Sequence, residues 1–113
     1  MDEQQTYSAV HRFARIAPRK ARLVMDMIRG LPCGRAMDQL QFNHRRAARY
    51  ISAVLKSAMV SADEREADMS RLKVTDARVD GGPYHRRWRP KDRGRAHPIA
   101  KRTSHLRITV SER

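Results

Sequence analysis

The stretch PYHRRWRPKDRGRAHPIAKRTSHLR, Pro83 to Arg107, decides how this chain is read. It carries Arg86, Arg87, Arg89, Lys91, Arg93, Arg95, Lys101, Arg102 and Arg107, opposed only by Asp92. Its large apolar residues are Tyr84, Trp88, Ile99 and Leu106, too few for a core. Yet it is no tail. It runs into Leu106, Ile108 and Val110, which alternate with polar neighbours at the period of a half-buried strand. A basic excursion that leaves a domain and returns to it is expected to be held from outside, and a polyanion fits.

The centre of the excursion, Pro90-Lys91-Asp92-Arg93-Gly94, has turn chemistry. The flanks then read as the two strands of an arm. At ~3.3 Å per residue, flanks of ~12 residues reach ~40 Å. The globular part is expected to have a radius of gyration of only ~13 Å. An isolated hairpin is marginal in water, and like charges weaken this one further. The reading is an arm ordered by RNA. Trp88 has no apolar cluster around it, so it is expected to stack on a base or a guanidinium. Tyr84 reads as packing within the arm.

The chain has 113 residues and 40% hydrophobic content, enough for one domain with a small core. Its 25 Lys+Arg against 12 Asp+Glu leave a formal charge of +13. Self-repulsion at that charge calls for a neutralising partner. Nucleic acid fits best, because phosphate is a fixed charge and binding releases counterions. An anionic membrane fits less well: the basic segment lacks the broad apolar face of an interfacial helix. Cys33 is the single cysteine, so no intrachain disulfide forms. The first residues, MDEQQTYSAV, do not read as a secretory signal. No apolar run approaches the ~18 residues of a membrane span. The expected location is the cytoplasm.

Outside the arm, Tyr7 to Ile16 favours a strand, with Val10, Phe13 and Ile16 as candidates to face a core. Pro18 suits a first helical position, and Ala21, Val24, Met25 and Ile28 follow as a helix stripe. Gly30 and Pro32 end that helix. A short second helix is expected over about Cys33 to Leu40. Asn43 reads as the N-cap of a third and longest helix, with Ala47, Ala48, Ile51, Val54, Leu55, Ala58 and Ala62 inward. Asp63 to Ser70 reads as an acidic loop. Leu72 to Val79 reads as a strand whose apolar phase switches near Thr75-Asp76, the mark of a bulge or of burial on both faces. The fold class is α+β.

Chemistry beyond binding finds little support. No two of the five histidines stand at i, i+4 on a helix, and one cysteine cannot build a thiolate site. Asp63, Glu64, Glu66 and Asp68 lack calcium-loop spacing. Gly81-Gly82 is not followed by the Gly-Lys-Ser/Thr of a phosphate loop. Ser104-His105 has no oriented third partner, so no triad is read. The expectation is no enzyme, no metal and no cofactor. Two rivals remain: a free-standing nucleic-acid-binding regulator, which calls for a base-reading helix, and an enzyme acting on nucleic acid, which calls for clustered carboxylates or a general acid–base pair.

Two runs carry a family resemblance. Arg15-Ile16-Ala17-Pro18-Arg19-Lys20-Ala21-Arg22-Leu23-Val24 resembles the first-helix signature of the ribosomal protein L-twenty-two family. Gly82-Pro83, Arg89-Pro90, Gly94-Arg95-Ala96 and Lys101-Arg102-Thr103-Ser104-His105 resemble its hairpin signature, in order and spacing. The resemblance covers nearly the whole chain. It implies three helices packed on a small three-stranded antiparallel sheet, with a long projecting β-hairpin. It implies a single ribosomal RNA-binding domain over 1–113, with 80–105 as the extended basic hairpin. The implied role is a structural constituent of the large subunit that binds its RNA and supports assembly. The hairpin would line the peptide exit tunnel.

Carried over by position, the tunnel tip is Trp88, Arg89, Pro90, Lys91, Asp92, Arg93, Gly94, Arg95 and Ala96. The RNA-binding set is Arg15, Arg19, Lys20, Arg22, Arg86, Arg87, Arg89, Lys91, Arg93, Arg95, Lys101, Arg102, Thr103, Ser104 and His105. The partners implied are large-subunit ribosomal RNA, neighbouring large-subunit proteins and the nascent peptide, with macrolides close to the tip. Asp92 departs from the small neutral residue usual in the family, and the acidic Asp63–Ser70 segment departs from its Asn-containing one.

Overall fold

Proline at the first helical position and a phase switch in a strand both leave direct traces in the architecture. The computed structural model describes residues 5–82, 85–91 and 95–112, with side chains over 5–82 and 102–112. The order is β1 (Thr6–Ala14), α1 (Pro18–Ile28), α2 (Cys33–Gln41), α3 (Arg46–Glu64), a 3-10 turn (Met69–Arg71), β2 (Leu72–Gly81), β3 (His85–Lys91), β4 (Arg95–Lys101) and β5 (Ser104–Glu112). This is an α+β fold, three helices on a three-stranded antiparallel sheet in the order β1-β5-β2.

Helix α1 starts at Pro18, whose missing N–H would have had no intrahelical partner there. Ala21, Val24, Met25 and Ile28 are all fully buried. The helix gives way at Gly30, whose φ of +82° is a left-handed turn that a side chain resists. Helix α3 buries Ala47, Ala48, Ile51, Val54, Leu55, Ala58 and Ala62, the expected stripe. Its start is a correction. The N-cap position is Arg45, without a side-chain cap, not Asn43. Asn43 instead takes the Arg45 N–H on its side-chain oxygen at 2.9 Å, a local turn that delays the helix. The far end also differs from expectation: Asp63 and Glu64 complete α3 before the acidic loop begins.

In the centre of the sheet, Leu106, Ile108 and Val110 of β5 have no exposed surface. Helix α1 packs on β2, and α3 packs on β1 and β5. The phase switch in β2 is a bulge. Val74 faces Val110, but Asp76 faces Thr109, so Thr75 is the extra residue. Leu72 and Val74 before it, and Ala77 and Val79 after it, therefore all turn inward and are buried.

Strand β1 overturns part of its expectation. Ile16 is buried, but Val10 is 46% and Phe13 57% exposed. The inward residues are Tyr7 and Ala14, with Ala9 partly covered. Between His11↔Leu106 and Ala14↔Ser104, β1 carries one residue more than β5. Phe13 takes that extra place at φ +60°, a backbone region that bulky residues seldom enter.

Strands β3 and β4 form a separate antiparallel ladder from His85↔Lys101 to Lys91↔Arg95. The turn at 92–94, the approach at 83–84 and every side chain of this ladder lie outside the described residues. The readings of Trp88, of Tyr84 and of the tip cations fall there.

Candidate nucleic-acid interface

The expected cations of α1 divide by what they touch. Arg15, Arg19 and Lys20 are exposed at the start of the helix. Among the described residues none of the three joins an ion pair. Arg22 is exposed as well, and it also bonds to the sheet. Its Nη2 donates to the Val79 carbonyl at 3.1 Å. Arg29, two turns on, donates from Nη2 to the Ala77 carbonyl and from Nη1 to Asp26 Oδ1, both at 2.6 Å. These carbonyls lie on β2, an edge strand. Farther along it, Gly30 N–H donates to the Val74 carbonyl and Val74 N–H to the Leu31 carbonyl, each at 2.9 Å. Arginine side chains and the α1–α2 loop thus occupy an edge that would otherwise invite another strand. Sequence reasoning missed these bonds to the strand edge; the i, i+7 spacing of Arg22 and Arg29 was the available signal.

The other matched residues converge on the root of the β3–β4 ladder. Arg102 is exposed, while Thr103 and Ser104 are buried. Ser104 Oγ donates to the Ile16 carbonyl at 2.6 Å, which ties the first residue of β5 to the loop before α1. His105 Nδ1 accepts the Phe13 N–H at 3.2 Å, and the two rings meet edge-on at 5.0 Å. Gly82 N–H donates to the Thr103 carbonyl at 3.0 Å. A Cβ on Gly82 would stand 2.6 Å from Thr103 Oγ1 and 3.2 Å from His105 Nε2. Two segments far apart in sequence, 15–22 and 102–105, therefore share one end of the sheet. Thr103 and Ser104 fix that end; Arg15, Arg19, Lys20 and Arg102 surround it with exposed charge.

A second group of cations decorates α3: Arg45, Arg46, Arg49 and Lys56 are exposed. Arg46 lies over the Tyr50 ring, 5.7 Å from its centre, and His11 meets Tyr50 edge-on. The helix-free face of the sheet adds Arg12, Arg78 and Arg107, all exposed. Sequence reasoning left these three unconnected, because only the strand register brings them together.

The acids hold structure. Asp68 Oδ1 accepts from Ser70 Oγ at 2.6 Å and from the Ser70 N–H at 3.1 Å, and these bonds hold its carboxyl below the usual range. Glu112 Oε1 accepts the Asp68 N–H at 2.7 Å, joining the acidic loop to the end of β5. Burial pushes the Cys33 thiol up to about 11, so it stays protonated near neutral pH and is a poor nucleophile. Among the described residues, no three His, Cys, Asp or Glu side chains gather as a metal site, and no helix is long and apolar enough to cross a membrane. The arrangement supports binding to a polyanion, through exposed cations around one rigid end of the sheet. A family model described as ribosomal protein L22p/L17e matches residues 9–111.

Proposed function

The chain belongs to the ribosomal protein L22p/L17e family, and from that premise we propose that it is a structural protein of the large ribosomal subunit that binds the subunit's RNA. One observation carries the reading beyond membership. The two matched basic segments, 15–22 and 102–105, meet at the root of the β3–β4 ladder through the Ser104–Ile16 hydrogen bond. A site assembled from both ends of the chain, rich in exposed arginine and built on a bonded frame, suits folded RNA. Phosphate neutralisation then supplies affinity and the shape of the RNA supplies selectivity.

In this reading the whole chain is one RNA-binding domain, and 80–105 is its extended basic hairpin. Asp80 and Gly81 already pair with His105 and Ser104 in the body sheet, so the hairpin grows directly out of β2 and β5. Its cations, Arg86, Arg87, Arg89, Lys91, Arg93, Arg95 and Lys101, bind RNA. Its tip, Trp88 to Ala96, lines the peptide exit tunnel beside the nascent peptide and near the macrolide site. Asp92 lowers the positive field of that tip. The other partners are neighbouring large-subunit proteins, the place of action is the cytoplasmic ribosome, and the protein catalyses no reaction. The free-standing regulator is less favoured: α3 is packed on the sheet along its apolar stripe, and no recognition helix was read from the sequence.

The test is the double substitution Arg93→Ala with Arg95→Ala. It is expected to weaken association with large-subunit RNA and lower its salt dependence, while thermal unfolding of the body stays unchanged. RNA association equal to that of the wild type contradicts an RNA-binding hairpin.

A further inference from the structure

Residues that alternate with the buried set of the sheet face away from the helices. Across this open face the register sets Val10, Arg107 and Arg78 in one row, since Arg107 pairs with both of the others. Arg78 and Arg107 are thus like charges directly opposite each other, an arrangement that destabilises a sheet. Asp76 Oδ2 approaches Arg78 Nε at 3.3 Å, from one side only. Arg107 is in no ion pair among the described residues. In the next row His105 pairs with Asp80 and meets the Phe13 ring, which is 57% exposed. Val10 and Arg107 of the first row and Asp80, His105 and Phe13 of the second, together with Arg12, line a recess of about 330 Å3. Arg78 lies beyond Arg107 in the first row.

We propose that this open face seats one nucleotide of single-stranded RNA, with its phosphate between Arg78 and Arg107 and its base on the Phe13 ring. The inference rests on the RNA-binding reading above and adds a place that reading does not use. An anion between the guanidinium groups turns the cross-strand repulsion into a clamp. An exposed aromatic ring beside such a clamp is the pattern by which unpaired bases are held. Asp80 gives the seat its direction. A carboxylate repels phosphate, so the backbone runs over the arginine row and the base lies toward Asp80. There the carboxylate accepts from an exocyclic amino group, as on cytosine, and finds no such donor at the same place on uracil. A protein partner fits less well, since Val10 and Phe13 are the only large apolar groups described around the recess.

The test uses the full chain with fluorescently labelled oligocytidylate and oligouridylate. Oligocytidylate is expected to bind several-fold more tightly, and Asp80→Asn to remove that preference. Arg78→Ala with Arg107→Ala is expected to lower the slope of log affinity against log salt by about one, the loss of a single phosphate contact. The double substitution to Lys keeps the slope. Phe13→Leu removes ultraviolet cross-linking to the β1 peptide and also leaves the slope in place. Unfolding of the double Ala variant is expected no lower than wild type, because a repulsive pair has gone. An unchanged slope in that variant with equal affinity for the two oligonucleotides overturns the seat. Cross-links confined to 85–101 overturn it too, as does tighter binding of an acidic peptide at this face. None of these outcomes disturbs the ribosomal reading, which is judged by whether the chain travels with large subunits.

Discussion

Ser104 Oγ donates to the carbonyl oxygen of Ile16 at 2.6 Å, and the serine has no exposed surface. The bond joins residues 88 apart in sequence. It fixes the start of α1 against the point where β5 begins, so the exposed cations of both segments keep one geometry. Ser104→Ala would leave the buried Ile16 carbonyl without this donor, at a cost of about 1–3 kcal/mol. Thermal unfolding of the variant is expected to shift down accordingly. An unchanged midpoint would mean that the bond does not hold the two segments together.

Gly82 stands where Thr103 and His105 leave no room for a side chain. A Cβ there lies 2.6 Å from Thr103 Oγ1, closer than unbonded atoms tolerate. Gly82→Ala is expected to destabilise the body, by about 1–3 kcal/mol if overpacking sets the scale. Gly34→Ala is the control, because nothing lies within 4 Å of a Cβ at that position. Denaturant unfolding of the two variants checks the contrast, and equal behaviour would contradict the close approach at Gly82.

The cations in and just after α1 are expected to separate by assay. Arg29 bonds the Ala77 carbonyl and Asp26, so Arg29→Ala should lower stability by about 1 kcal/mol, the worth of a typical hydrogen bond. Arg19→Ala with Lys20→Ala should leave stability within about 0.5 kcal/mol of wild type, as for ordinary surface changes, and weaken RNA association. Unfolding curves and salt-dependent RNA titrations read the two effects independently. A stability loss in the second variant would place those cations in the frame of the body.

Cys33 carries a pH signature. Its thiol is raised from 9.0 to about 11 by burial. Between those values the unfolded chain ionises the thiol and the folded chain does not. Stability from this group is therefore present below 9.0 and lost as pH rises through about 11. Reaction with a thiol reagent at neutral pH should track unfolding of the protein. Rapid labelling of the native chain would show the site to be open.

Much of the body was legible because its signals are local. The stripe of α1 and the seven inward residues of α3 follow helix periodicity, and all are buried. The phase switch at Thr75-Asp76 announced the β2 bulge. Val10 and Phe13 were misjudged because the strand phase that buries Tyr7 turns Val10 outward, and the bulge turns Phe13 outward too. The bulge at Phe13 carries no glycine to mark it. Asn43 misled because a capping side chain and a turn-forming one look alike until the backbone beyond them is known. Of the candidate interface, the basic excursion was plain from composition. The union of Arg15–Arg22 with Arg102–His105 was not, because a single buried hydrogen bond and the β5 register create it. The Arg78–Arg107 pair belongs to the register alone.

The central claim is that this chain is a built-in part of the large ribosomal subunit. Its most direct test is sedimentation of source-cell lysate through sucrose gradients at low and high salt, with detection of this chain in each fraction. Co-migration with large subunits and whole ribosomes that survives high salt is the predicted result. A chain found mainly at the top of the gradient, or stripped by modest salt, would contradict the account and bring the free-standing regulator forward.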